Sequence, residues 1–144
     1  SDSTLNARPL GKSLLHIVAS PDYLAKRGLP TKPEDLSSHQ IVGFAGNKVL
    51  NHWPLPNQSV VAPTVTASNG ETVRQLVLAG NGIACLSGFM VQEDMAAGRL
   101  IPILEQDKLA NTDRERVNAV YYKSSSVSKR ISAFIDFIQP RLSL

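Results

Sequence analysis

Ser68-Asn69-Gly70-Glu71-Thr72-Val73-Arg74-Gln75-Leu76-Val77-Leu78-Ala79-Gly80-Asn81-Gly82-Ile83-Ala84-Cys85-Leu86 contains a helix start, a helix stop and the strand that follows. Ser68 and Glu71 stand at capping-box spacing, so Ser68 can accept from the N–H of Glu71 while Glu71 reaches back to the N–H of Ser68. Val73, Leu76 and Val77 recur at i, i+3 and i+4, an apolar stripe that faces a core. Gly80 closes the helix, and only Asn81 separates it from Gly82, where the apolar run Ile83-Ala84-Cys85-Leu86 begins. So short a helix-to-strand connection belongs to α/β units.

Working outward, the same alternation continues. Leu14–Ala19 is a short apolar run bounded by polar residues, read as a buried strand. Ser20-Pro21-Asp22 then starts a helix that stops at Gly28. A small helix follows at Thr31–Leu36, and Gln40–Phe44 is a strand. Ala45–Ser59 is loop-like and carries the chain's one tryptophan, Trp53. Val60–Thr66 is rich in β-branched residues, but Pro63 confines it to an edge or a bulge. Phe89–Ala97 reads as a helix and Leu100–Leu104 as an edge strand because of Pro102. Glu105–Glu115 reads as a polar linker and Val117–Tyr121 as a strand. A last helix carries the stripe Val127, Ile131, Phe134, Ile135 and Ile138 and ends at Pro140. Residues 1–13, broken by Pro9 and Gly11, read as the end of a preceding unit. The alternation predicts a mainly parallel or mixed sheet covered by helices.

The chain's 144 residues make one ordinary domain with room for a core, and 42% hydrophobic against 19% charged residues is a globular balance. No run approaches the ~20 apolar residues of a spanning helix, and Ser1–Arg8 is too polar for a signal peptide, so no membrane partner is expected. A single cysteine, Cys85, excludes an internal disulfide framework, which favours a cytoplasmic setting. Its apolar neighbours suit a small buried hydrophobe. The net charge of +3 comes from scattered basic residues, not from a stripe that could track a nucleic-acid backbone.

Catalytic chemistry has no constellation behind it. His16, His39 and His52 share no ligand-spaced partner, so no metal site is expected. Nucleophile-elbow, zinc-protease and phosphate-loop patterns are absent, and no cofactor is expected. Glu93-Asp94 lie about 100° apart on a helix, a poor acid–base dyad and a plausible solvated face. Binding is better supported. Helix starts after strands present free N–H groups and the positive dipole end, at Ser20-Pro21 and at Ser68-Asn69-Gly70. Gly70 would leave backbone exposed, while Ser68, Asn69 and Thr72 offer hydrogen-bonding side chains. On the residues alone two readings of this start stay open: a mutual Ser68–Glu71 cap, or a ligand site. Because Glu71 would repel an anion there, a polar, zwitterionic or amine-bearing ligand fits more easily.

The strings 7–11 (ARPLG), 18–24 (VASPDYL), 35–44 (DLSSHQIVGF), 68–86 and 96–104 (AAGRLIPIL), with the ending 117–138, resemble the effector-binding domain of LysR-type transcriptional regulators along essentially the whole chain. The resemblance implies a periplasmic-binding-protein-like (type 2) α/β domain of two lobes, with a mixed sheet flanked by helices and an effector in the cleft. It implies that residues 1–13 and about 115–144 are remnants of a truncated first lobe, and that about 14–114 form the second. It further implies that a winged helix-turn-helix, a linker helix and part of the first lobe precede Ser1, so that DNA is met only through that absent part. A small-molecule effector and self-association as a dimer or tetramer are the implied partners. The residues carried over to the cleft are Phe44, Trp53, Ser68, Asn69, Gly70 and Thr72, with Ser20 beside them. A solute-binding protein of a transport system, and a small enzyme fragment, remain the alternatives.

Overall fold

The computed structural model describes residues 5–56, 61–110, 112–123 and 125–144. Residues 1–4 of the expected first-lobe remnant, 57–59 of the loop, Val60 and Ser124 lie outside them, as does the side chain of Val127.

Strand β1 (Leu5–Lys12) pairs antiparallel with β7 (Arg116–Tyr122). Pro9 and Gly11 are the breakers that set residues 1–13 apart in the sequence, yet the strand runs through both. The register shifts between those two residues, so the strand absorbs them as an irregularity of the kind tolerated at sheet edges. Helix α4 (Ser125–Ile138) lies against this pair, with Arg8 bonded to Ser132 at 2.9 Å and to Asp136 at 2.7 Å. Its expected apolar stripe holds only in part. Ile135 is buried, whereas Phe134 is 60% exposed, one position and about 100° away.

The second layer begins with β2 (Leu15–Ala19), which pairs antiparallel with both β5 (Ala84–Ser87) and β6 (Ile101–Ile103). β3 (Val42–Phe44) and β4 (Val65–Ala67) run parallel to each other, and an Ile41–Ile83 bridge joins β3 to the start of β5, also in parallel. The mixed sheet expected from the alternation is present, with β6 at an edge. No strand covers Val61–Thr64. There Thr64 bonds the backbone of Ile41, and Pro63 precedes the ladder without having to join it.

Both faces of this sheet are covered, which explains its unbroken apolar runs. Ile17, Ala19, Ile83 and Cys85 point to one core with Tyr23, Leu36, Trp53 and Leu55. Val18, Ala84 and Leu86 point to the other, against Val73 and Val77 of α2 (Gly70–Leu78) and Val91 of α3 (Gly88–Ala96). Helix α1 (Pro21–Arg27) starts on the Ser20 cap as expected. Gly80, at φ 85°, ends α2 in a conformation that costs a side chain energy. Segment 105–115 is not a plain linker. It forms two 3-10 turns, Glu105–Asp107 and Asp113–Glu115.

Candidate functional site

Because β3 and β5 run in parallel and β2 runs against β5, the carboxyl ends of β3, β4 and β5 share one edge with the start of β2. The chain crosses between its two layers at this edge. The N–H of Ser13 donates to the carbonyl of Glu115 at 2.7 Å, and the N–H of Phe89 donates to Ser13 Oγ at 3.1 Å.

Phe44 and the start of α2 meet here. Phe44 is the Cα partner of Ala67, the residue before Ser68, and the N–H of Ala45 donates to Ala67 O at 2.9 Å. Phe44 is held by Asn51, which accepts from its N–H at 2.8 Å and donates to its carbonyl at 2.9 Å. A cavity of about 520 Å³ opens beside it, lined by Phe44, Lys48, Asn51, Val61, Pro63 and Thr66 among others.

At α2 the expected Ser68–Glu71 capping box does not form. Asn69 is the cap, with extended backbone (φ −147°, ψ 162°) and an Oδ1 that accepts from the N–H of Thr72 at 2.9 Å. Glu71 turns the other way, accepting from Arg74 at 2.7 Å and Gln75 at 2.9 Å. The Gln75 bond, then the Arg74 bond and charge, outweigh desolvation and hold its carboxyl below the usual range. The repulsion expected at the helix start is thereby relieved. Gly70 does not bare its backbone to a ligand: a Cβ there would lie 2.7 Å from Met90 Cε, so the thioether covers it. Ser68, Asn69 and Thr72 are exposed.

Two expected residues are not brought to this place. Ser20 ends β2 at the opposite edge, beside Gly80 at the far end of α2, where its Oγ caps α1 by accepting from Tyr23 N at 3.1 Å. The nine residues of α2, about 13 Å of helix, lie between Ser20 and Asn69. Trp53 is buried in the core on the other face of the sheet and walls a separate cavity with His52, Leu109, Thr112 and Arg114.

Sequence reasoning missed three groupings near the sheet. His16 is partnered: its Nδ1 lies 3.0 Å from Glu105 and 3.2 Å from Lys108 Nζ, which also donates to Leu15 O at 2.6 Å. Burial raises the Glu105 carboxyl, but the bonds from His16 and Lys108 bring it below its ordinary value. His39 bonds Tyr23 Oη at 2.7 Å, and burial, then Arg27, lower its pKa. Asp94, expected on a solvated face, is buried and receives Arg74 at 2.7 and 3.0 Å and Arg99 at 3.0 Å. The bonds that assemble the first and last of these, His16 to Glu105 and Arg74 to Asp94, join residues 89 and 20 positions apart, and such pairs leave no local pattern. Cys85 is buried, and desolvation pushes its thiol up to about 11, away from the reactive thiolate. Among the described residues no group of three acidic, His or Cys side chains could hold a metal, and no helix is long and apolar enough to cross a membrane.

Comparison with known proteins agrees with this architecture. The profile of the LysR substrate binding domain matches residues 1–143. The chain is 43% identical over 145 aligned positions to the HTH-type transcriptional regulator CrgA of Neisseria meningitidis, covering 98% of this chain and 48% of that protein. It is 30% identical to the HTH-type regulator YhjC of Escherichia coli, covering 92% of this chain and 46% of that one. It therefore spans about half the length of the curated relatives it matches. The CrgA regulatory domain superimposes with a TM-score of 0.86 over 99% of this chain and 71% of that chain, at 43% identity. The regulatory domain of AphB from Vibrio vulnificus follows at 0.71 over 95% of this chain and 70% of that one, at 28% identity. With its α/β architecture of the type 2 periplasmic-binding-protein kind, the chain belongs to the LysR substrate-binding domain family.

Proposed function

We propose that this chain is the effector-sensing part of a cytoplasmic LysR-type transcriptional regulator and carries out no catalysis of its own. In this reading residues 14–114 are the second lobe, while 1–13 and 115–144 belong to the first. A small polar metabolite occupies the space between the lobes. The observation that carries the reading is the meeting of Phe44, Ser68 and Asn69 at one sheet edge, beside a 520 Å³ cavity and the two chain crossings. Ligands of open α/β sheets collect at such strand ends. Lys48 in the cavity wall and the engagement of Glu71 by Arg74 make room for an effector with a negative group. Of the residues carried over to the cleft, Phe44 lines the cavity; Ser68, Asn69, Gly70 and Thr72 stand at the helix start next to it, and Ser20 and Trp53 lie away from both.

DNA contact and self-association would belong to the intact regulator, with DNA met through a part outside this chain. A transport solute-binding protein would share the lobes, but the relatives matched are transcriptional regulators. The test is a small-metabolite thermal-shift screen on the intact regulator. A metabolite that raises the melting temperature of the parent protein should lose most of its shift in Phe44→Ala and Asn69→Ala, each measured from its own ligand-free baseline. An unchanged shift in both variants would overturn the pocket.

A further inference from the structure

On the opposite face of the sheet from Phe44, a second cavity of about 290 Å³ lies between the loop around Trp53 and the segment returning toward β7. Its walls are apolar: Val49, Trp53, Pro54, Leu55 and Leu109. Val49 and Leu109 are 56% and 50% exposed at its rim, and the N–H of Leu109 donates to Pro54 O at 2.8 Å, tying the two segments together.

Two polar groups in this apolar setting are unmatched. Arg114 Nη1 donates to His52 O at 3.1 Å and Nη2 to Cys85 O at 3.4 Å. Both acceptors are neutral carbonyls, so the guanidinium is oriented while its charge is not compensated among the described side chains. Among the described residues it has no carboxylate partner. The hydroxyl of Thr112, also in the lining, is buried and finds no hydrogen-bond partner among the described residues. A buried hydroxyl without a partner is costly, and an oriented guanidinium suits a planar carboxylate. The volume lies at the small end of ligand cavities. One cation leaves a second negative charge without a partner.

We infer that this cavity is a binding site for a small monocarboxylate with a compact apolar body. The carboxylate engages Arg114 and the Thr112 hydroxyl, and the body rests against Trp53, Leu55 and Leu109. The site is separate from the Phe44 pocket and does not depend on the function proposed for it.

Trp53 is the chain's sole tryptophan, so its emission reports on the cavity directly. Titration of the 144-residue chain with 3-methylbutanoate and with phenylacetate should give a saturable change in that emission at about millimolar concentration or below. The neutral amides of the same acids should give none. Arg114→Gln should weaken acid binding by about tenfold or more, and Thr112→Val by about threefold, as expected for loss of a charged and a neutral hydrogen bond. Lys129→Gln, which removes the same charge outside the cavity, should leave binding unchanged. Amides that bind as well as the acids, no saturable change with either acid, or full binding by a folded Arg114→Gln chain would each overturn the site. If Arg114→Gln does not fold, the comparison of acid with amide on the unaltered chain decides.

Discussion

At the start of α2 two neighbouring side chains could each have closed the helix, and the backbone chooses between them. Asn69 has the extended conformation of a residue half inside the helix, which brings its Oδ1 onto the N–H of Thr72. Ser68 lies one residue too early, and Glu71 is drawn away by Arg74 and Gln75. Asn69→Ala should therefore cost about 1 kcal/mol in urea unfolding, the usual loss for a helix cap. Ser68→Ala should change stability by no more than about 0.5 kcal/mol, as exposed substitutions away from such features do. A larger loss at Ser68 than at Asn69 would return the cap to the capping-box residue. Sequence spacing located the helix start but not its cap, because Ser68 and Asn69 are equally good oxygen acceptors and only φ and ψ distinguish them. Gly70 illustrates the same limit. The absence of a side chain was legible, whereas its purpose depends on Met90, twenty residues later.

At the scale of elements, α2 and α3 are joined through one buried carboxylate. Asp94 on α3 takes two bonds from Arg74 on α2 and one from Arg99, and is 1% exposed. The bonds from Arg74, helped by Arg99, overcome desolvation and hold its carboxyl below the ordinary value of 3.8. Since the unfolded chain binds that proton more readily than the folded one, Asp94 stabilises the fold above about pH 4. That contribution is lost as pH falls through the lowered folded value. Asp94→Asn should destabilise the domain at neutral pH by about 2 kcal/mol, since Arg74 keeps Glu71 but both arginines lose their charged hydrogen bonds to the buried carboxylate. It should also flatten the fall in melting temperature below about pH 4 that the parent chain shows. A variant curve parallel to the parent's in that range would refute this assignment. The 100° separation of Glu93 and Asp94 was legible and rightly argued against an acid–base dyad. It also allows one of the pair to face inward, which depended on a partner twenty residues away in sequence. The helix–glycine–strand unit at 70–86 was legible because all its determinants are local. Strand β1 was not, since Pro9 and Gly11 look like breakers until β7 supplies a partner that tolerates the shifted register.

For the whole molecule, the order of elements gave the mixed sheet, but its strand directions decide where a ligand can gather. With β2 running against β5, Ser20 and Asn69 stand at opposite edges although both follow strands. Both chain crossings lie at the Asn69 edge, where Ser13 and Glu115 are buried and hydrogen-bonded. If 14–114 is a lobe in its own right, that segment expressed alone should melt cooperatively and keep the emission of a buried Trp53. A non-cooperative melt, or the red-shifted emission of a solvated indole, would show that it depends on β1, β7 and α4. The bond between Ser13 and Glu115 also bears on the order of folding. β1 and β7 are partners across roughly a hundred intervening residues, and closing an unstructured loop of that length carries a substantial entropic penalty. A segment that has already folded presents its two ends 2.7 Å apart, so the outer strands meet in register without a long search. The layer built on β2 and β5 thus serves as a template for the β1–β7 pair, whose assembly should be the later kinetic step.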